Sequence, residues 1–236
     1  MVQFLMPPDP RITESKVPHV HIGVIGHPDI TADLDVPVRY DAAFKAHFVG
    51  LSGSNGFDGS AGQDGSDGMM GSNDPNNPSP GGNGSDGGRG EDGGDGGSGG
   101  PGPDEHVWMT ARSGTPVLLE VRVTGGSREQ FFLIDPNGGT LSIDSNGGPG
   151  GRGGSGGHGG RGGSGGMGFP PGMSGNNGFS GLDGHAGAGG AAGTIVVSVD
   201  PAAQQFMSRL QLSNRSGNGA PGPAPLIRVE AVPALW

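Results

Sequence analysis

A chain of 236 residues with 55 Gly, 21 Pro, no Cys, 31% hydrophobic residues and a formal net charge of −10 holds too little apolar mass for one conventional core along its whole length. The absence of cysteine excludes disulfide scaffolds and thiolate metal sites, and the acidic balance argues against nucleic-acid binding, which needs a surplus of Lys and Arg. No apolar run reaches the roughly 18 residues of a spanning helix, and the start, MVQFLMPPDPRITESK, has neither the basic region nor the apolar stretch of a secretory signal. No membrane span is expected, and location is cytoplasmic by default or reached by a non-classical route.

In chain order, residues 19–25 and 34–38 read as strands. A different kind of sequence follows, in which every third residue is Gly from Gly50 to Gly71, from Gly81 to Gly102, from Gly147 to Gly168 and from Gly172 to Gly193. These are segments I to IV, each of 22 residues with eight in-phase glycines. Segments I and II are separated by SNDPNNPSP and segments III and IV by Phe169, Pro170 and Pro171, so each pair is expected to fold back as an antiparallel hairpin. The stretch between the pairs reads as strands at 107–112, 116–123, 130–135 and 140–144, with a turn at 135–139. Further strands are expected at 194–199, 210–212 and 226–232.

Period three matches a helix of three residues per turn, the polyproline II geometry, which has no hydrogen bonds of its own. Collagen-like Pro is nearly absent from the segments, where only Pro101 and Pro149 occur. Four matched lengths on one chain predict rods lying side by side, joined by backbone bonds that a Cβ would block. The expected fold class is mainly β or irregular: a β-rich base plus a bundle of four antiparallel polyglycine II helices. The corresponding divisions are 1–49, 103–146 and 194–236 for the base, and 50–102 and 147–193 for the two polyglycine hairpins. Segment III has two full glycine columns and segment II a second, partly filled one, so both should have more neighbours than I and IV.

The remaining columns are expected to face outward. Asn55, Asp58, Asp64 and Asp67 in segment I, and Asn83, Asp86, Asp92 and Asp95 in segment II, read as solvated acidic faces. Met69, Met70, Met167, Phe169, Pro170, Pro171 and Met173 collect near the two turns and are the candidate partner-binding residues; the bland reading is an apolar plug at the rod end. Ser155 lies in a G-x-S-x-G match without the strand and helix that a nucleophile elbow requires. Residues 81–89 match a calcium β-roll repeat only once, and Arg89, Arg152 and Arg161 lack the interleaved aromatics of RNA-binding tracts. His19, His21 and His27 read as strand histidines, with metal ligation as the sharper alternative. No catalytic constellation, cofactor site or metal site is expected.

The GxxGxxG and GGxGGx blocks resemble polyglycine II proteins: the snow-flea antifreeze type, the glycine-rich tips of phage long-tail-fibre adhesins, and the glycine-rich region of certain receptor tyrosine kinases. The resemblance covers the four segments and implies architecture alone. Unlike the antifreeze type, this chain has no Cys and has charged outer columns; like the phage adhesins, it has apolar turns. The expected function is that of a non-enzymatic structural protein assembling with itself through strand-like ends (VQFLM and PLIRVEAVPALW) into a homo-oligomer or filament. An adhesin recognising a surface ligand through its turns is the alternative.

Overall fold

The computed structural model describes residues 9–236. It is β-rich, with one four-residue α-helix, α1 (Pro10–Thr13), and one short 3-10 turn (Gln204–Arg209). It comprises two compact units. Of the described residues, one contains 9–50, 101–147 and 191–236; the other contains 51–100 and 148–190.

The first unit holds ten strands: β1 (His19–Val24), β2 (His27–Asp35), β3 (Ala43–Val49), β4 (Glu105–Arg112), β5 (Leu118–Gly125), β6 (Arg128–Ile134), β7 (Thr140–Asn146), β8 (Ile195–Val199), β9 (Leu210–Ser213) and β10 (Leu226–Val229). A five-stranded sheet has the order β10-β8-β4-β5-β6 and a three-stranded sheet the order β3-β7-β9. Period-two alternation sends one face of each strand inward. Val107 and Met109 of β4, Val121 and Val123 of β5, and Val197 and Val199 of β8 meet Ala46 and Phe48 of β3 and Leu141 and Ile143 of β7 in one core. The β4-β5-β6 meander is antiparallel, whereas β10, β8 and β4 run parallel, as do β3, β7 and β9.

Three sequence expectations need correction. The strand placed at 34–38 is β2, which starts at His27 and pairs with β1 through Asp35; its Pro and three Asp conceal it. The strand β3 was not expected, although Phe44, Ala46 and Phe48 alternate with Lys45 and His47. The chain end folds onto its own unit. β10 pairs with β8, Val232 is buried, the Leu235 N–H donates to Glu120 Oε2 (2.9 Å), and the Trp236 ring meets Phe131 edge-on at 5.6 Å. The other apolar end, VQFLM, lies outside the described residues.

Glu105 is the anomaly of this core. It is 2% exposed and its carboxyl oxygens have no hydrogen-bond partner among the described residues. Its stem packs beside Phe48 at Gly125, where an added Cβ would stand 2.9 Å from Phe48 Cδ1. Burial pushes the carboxyl up to about 8, with Asp144 reinforcing the shift and Arg128 opposing it. A carboxyl raised in the folded state supports stability below its unfolded value and loses that support as pH rises through 8. Glu105→Gln should therefore raise the unfolding temperature at pH 9 and leave it nearly unchanged at pH 4, as read by circular dichroism.

The second unit has no helix or sheet, yet its backbone is densely bonded. Every third N–H of segment I donates to segment III (Gly53 to Pro149, Gly56 to Arg152, and onward), and every third N–H of segment II donates to segment IV (Gly84 to Met173, Gly87 to Asn176, and onward). Increasing numbers on both sides make these pairs parallel. Antiparallel ladders join II to I (Gly88 to Gln63), III to II (Gly157 to Glu91) and IV to III (Gly181 to Gly157). Distances run from 2.6 to 3.0 Å. Segments II and III each bond to three neighbours and segments I and IV to two, with no ladder between I and IV.

The glycines make this spacing possible. A Cβ at Gly160 would lie 2.0 Å from Gln63 O, and one at Gly178 would lie 1.9 Å from Gly88 O. The second column of segment II is looser: a Cβ at Gly88 or Gly100 would stand 3.1 Å from the nearest atom. Ser85 and Glu91 occupy that same column, which explains why it is only partly Gly. Gly160→Ala should cost about 3 kcal/mol or more by forcing segments I and III apart, whereas Gly88→Ala should cost under about 1 kcal/mol. Thermal denaturation of both variants checks the difference.

Candidate functional site

The features of the second unit that can meet a partner are its outward columns and its two turns. The acidic columns are not simply solvated faces. Asn55, Asp58, Asp64 and Asp67 each accept, through one side-chain oxygen, the backbone N–H of Arg152, Ser155, Arg161 and Ser164 in segment III, at 2.7–3.0 Å. The same device repeats from segment II to IV: Asn83, Asp86, Asp92 and Asp95 accept from Met173, Asn176, Leu182 and His185. On segment IV, Asn177 and Asp183 accept from Gly162 and Gly156 of segment III.

The ladders explain the need. They use two N–H columns of segment II and one each of segments I, III and IV, so perimeter N–H groups would otherwise rely on water. An Asn or Asp side chain reaches one of them from the neighbouring segment without disturbing the glycine contact. The signal was in the sequence as Asx recurring at multiples of three beside a glycine column, and it was read only as charge.

The backbone N–H of His185, followed by its ring, holds Asp95 below the ordinary carboxylate range. The hydroxyl of Thr194, followed by its N–H, does the same for Asp104 in the first unit, at 2.7 and 3.0 Å. Beside Asp92, Arg89 forms an exposed ion pair at 2.7 Å.

The two turns lie side by side: the Phe169 N–H donates to Ser79 O and the Gly71 N–H to Met167 O. Backbone oxygens of Met69, Met167, Pro170 and Met173 are taken up by the ladders. Their side chains point elsewhere. Met69, Met70, Met167, Phe169 and Met173 are 66–85% exposed, and Pro170 and Pro171 are also exposed, so they form no buried plug. Phe169 instead walls a recess of about 380 Å³ with Asn73, Asp74, Pro75 and Pro78. Elsewhere on this unit, Leu51 and Phe57 on segment I and Phe179 and Leu182 on segment IV stand exposed.

The remaining motifs acquire ordinary roles. Ser155 sits in mid-ladder, accepting from Gly59 and donating its N–H to Asp58. His19 and His21 face Asp35 and Asp33 at 2.7 and 2.6 Å, and no group of three or more His, Cys, Asp or Glu suited to a metal occurs among the described residues. One cluster was not anticipated: Ser198 Oγ lies 2.9 Å from His106 Nε2 and hydrogen-bonds Glu230. The serine occupies the middle of this chain, so the carboxylate does not orient the imidazole as a general base for it. Burial lowers the His106 pKa, and its ring stacks on Trp108 at 3.8 Å. No helix among the described residues is long and apolar enough to cross a membrane.

No family model and no curated protein matches this chain. Among solved structures it is similar to the nine polyproline type II helical bundle springtail antifreeze protein from Granisotoma rainieri. The identity is 22%, over 58% of this chain and 94% of that one, with a TM-score of 0.10.

Carboxylates whose folded pKa is depressed contribute stability above their unfolded value and lose it as pH falls through the folded value. Asp95 and Asp104 should thus make the fold acid-sensitive below about pH 4. The pair Asp95→Asn and Asp104→Asn, which keeps an acceptor oxygen, should flatten the dependence of unfolding temperature on pH between about 4 and 2.

Proposed function

We propose that segments I to IV are polyglycine II helices packed as a bundle, and that the protein is a non-enzymatic structural subunit that assembles with itself around this rigid element. The observation that carries the proposal is the set of five period-three ladders, which commits nearly every glycine column to fixed backbone contact. Such a lattice gives stiffness, and it builds no hinge, cleft or convergent polar site. Leu51 and Phe57 on segment I and Phe179 and Leu182 on segment IV stand exposed, which supports burial against further copies. The expected partner is the chain itself, with no cofactor, and the expected bundle hairpins are 50–102 and 147–193.

A second reading, an adhesin, has one specific observation in its favour: the recess that Phe169 walls with Asn73, Asp74, Pro75 and Pro78. Sedimentation velocity over a concentration series, with electron microscopy, tests the first reading: discrete oligomers or filaments are expected, and a monomer throughout refutes it. Replacing Met69, Met70, Phe169 and Met173 together by Ser should leave that assembly intact; lost attachment to a surface with intact assembly would favour the adhesin.

A further inference from the structure

The β1–β2 hairpin is the least covered element of the first unit. It forms a two-stranded sheet of its own, and all but one of its residues are exposed, Val20 being half-buried. A lone two-stranded hairpin is marginal in water, and this one is amphipathic. The register places Val20 opposite Leu34 and Ile22 opposite Ala32 on one face, and His19 opposite Asp35 and His21 opposite Asp33 on the other. Ile22 and Leu34 are about half exposed. The polar face is neutralised in part by its own His–Asp pairs, while the apolar face lies bare.

A second bare feature lies at the other extreme of the sheet order. β10 is the edge strand of the five-stranded sheet, with an outer row of backbone groups that no strand among the described residues pairs, and all four of its side chains are exposed. Ile227 and Val229 share the inner face with Val197 and Val199, which are fully buried, so the core ends abruptly at β10 with half-exposed aliphatic groups. Arg228 projects from the opposite face, beside Ser198, and has no ion pair among the described residues. Even a short open strand edge presents backbone groups that can pair with another chain.

We infer that the β1–β2 hairpin of one molecule docks, β2 first, on the β10 edge of a second copy and extends its sheet. The occupant is argued from complementarity on both faces at once. Strand addition that sets Ala32 and Leu34 level with Ile227 and Val229 continues the apolar inner face, and the same alternation sets Asp33 and Asp35 on the side of Arg228. The donor and acceptor surfaces differ, so the contact is heterologous and propagates head to tail, giving a filament unless rotation closes a ring. This inference rests on the self-assembly reading above and supplies its interface.

The absence of native cysteine makes the test direct. Full-length Ala32→Cys and Ile227→Cys chains, mixed and mildly oxidised, should give the mixed disulfide dimer in preference to either homodimer. Ile22→Lys, which leaves the backbone edge intact, should weaken self-association about tenfold or more. Arg228→Asp should weaken it similarly, and Asp33→Arg in the partner should restore it; circular dichroism should show all variants folded. A chain that stays monomeric at every concentration overturns the self-assembly reading and this inference together. Oligomers that persist in Ile22→Lys without the mixed disulfide overturn the inference alone, and predominance of the Ala32→Cys homodimer overturns β10 as the acceptor.

Discussion

The constraint on which the second unit depends is the distance between two backbones. A hydrogen bond of 2.8 Å between Gly151 N and Gly97 O exists because neither residue carries a side chain. An added Cβ there would stand about 2 Å from a carbonyl oxygen. Gly is the residue that loses most freedom on folding, so a chain that orders this many of them needs compensation along the whole length. Each net backbone bond contributes only about 1 kcal/mol, and the compensation therefore comes from repetition: the same contact recurs every third residue across five pairs of segments.

From that constraint the other features follow. Segments II and III, bonded on three sides, are the ones that carry a second glycine column; segments I and IV, bonded on two, have room for Phe57, Phe179 and Leu182. The Asx columns supply acceptors where the lattice runs out of carbonyl groups, which is a side chain substituting for a further segment. The first unit solves a different problem by familiar means, with alternating strands closing one core. Its unusual element, Glu105, is a buried carboxyl without a hydrogen-bond partner among the described residues.

The matched segments, the hairpin pairing and most strands of the first unit were legible because each follows from a strict period, three in the one case and two in the other. β3 was equally periodic, with Phe44, Ala46 and Phe48 inward, and was overlooked beside the first glycine run. β2 was hidden because His27-Pro28-Asp29 reads as a turn; its strand character comes from pairing with β1, which single-residue preference cannot reveal. The Asp and Asn of segments I and II were recognised as columns but given the wrong work, since charge is visible in a sequence while the N–H they accept depends on which segment lies beside them. The nearness of Met69, Met70, Met167, Phe169, Pro170, Pro171 and Met173 to the turns is a matter of chain position alone, whereas the recess that Phe169 forms with Asn73, Asp74, Pro75 and Pro78 needs the loop conformation.

Residue-resolved amide hydrogen exchange tests the proposed packing most directly, because the ladders assign a partner to particular N–H groups. Protection should repeat with period three in segment II, with Gly84, Gly87 and Gly90 slow and Asn83, Asp86 and Arg89, whose backbone N–H groups donate to no other group of the described chain, fast. In segment III, Gly151, Gly154 and Gly157 should be slow together with Arg152 and Ser155, whose N–H groups the Asx column holds. Exchange that is uniformly fast through the glycine segments, or protected without a period of three, would contradict the account.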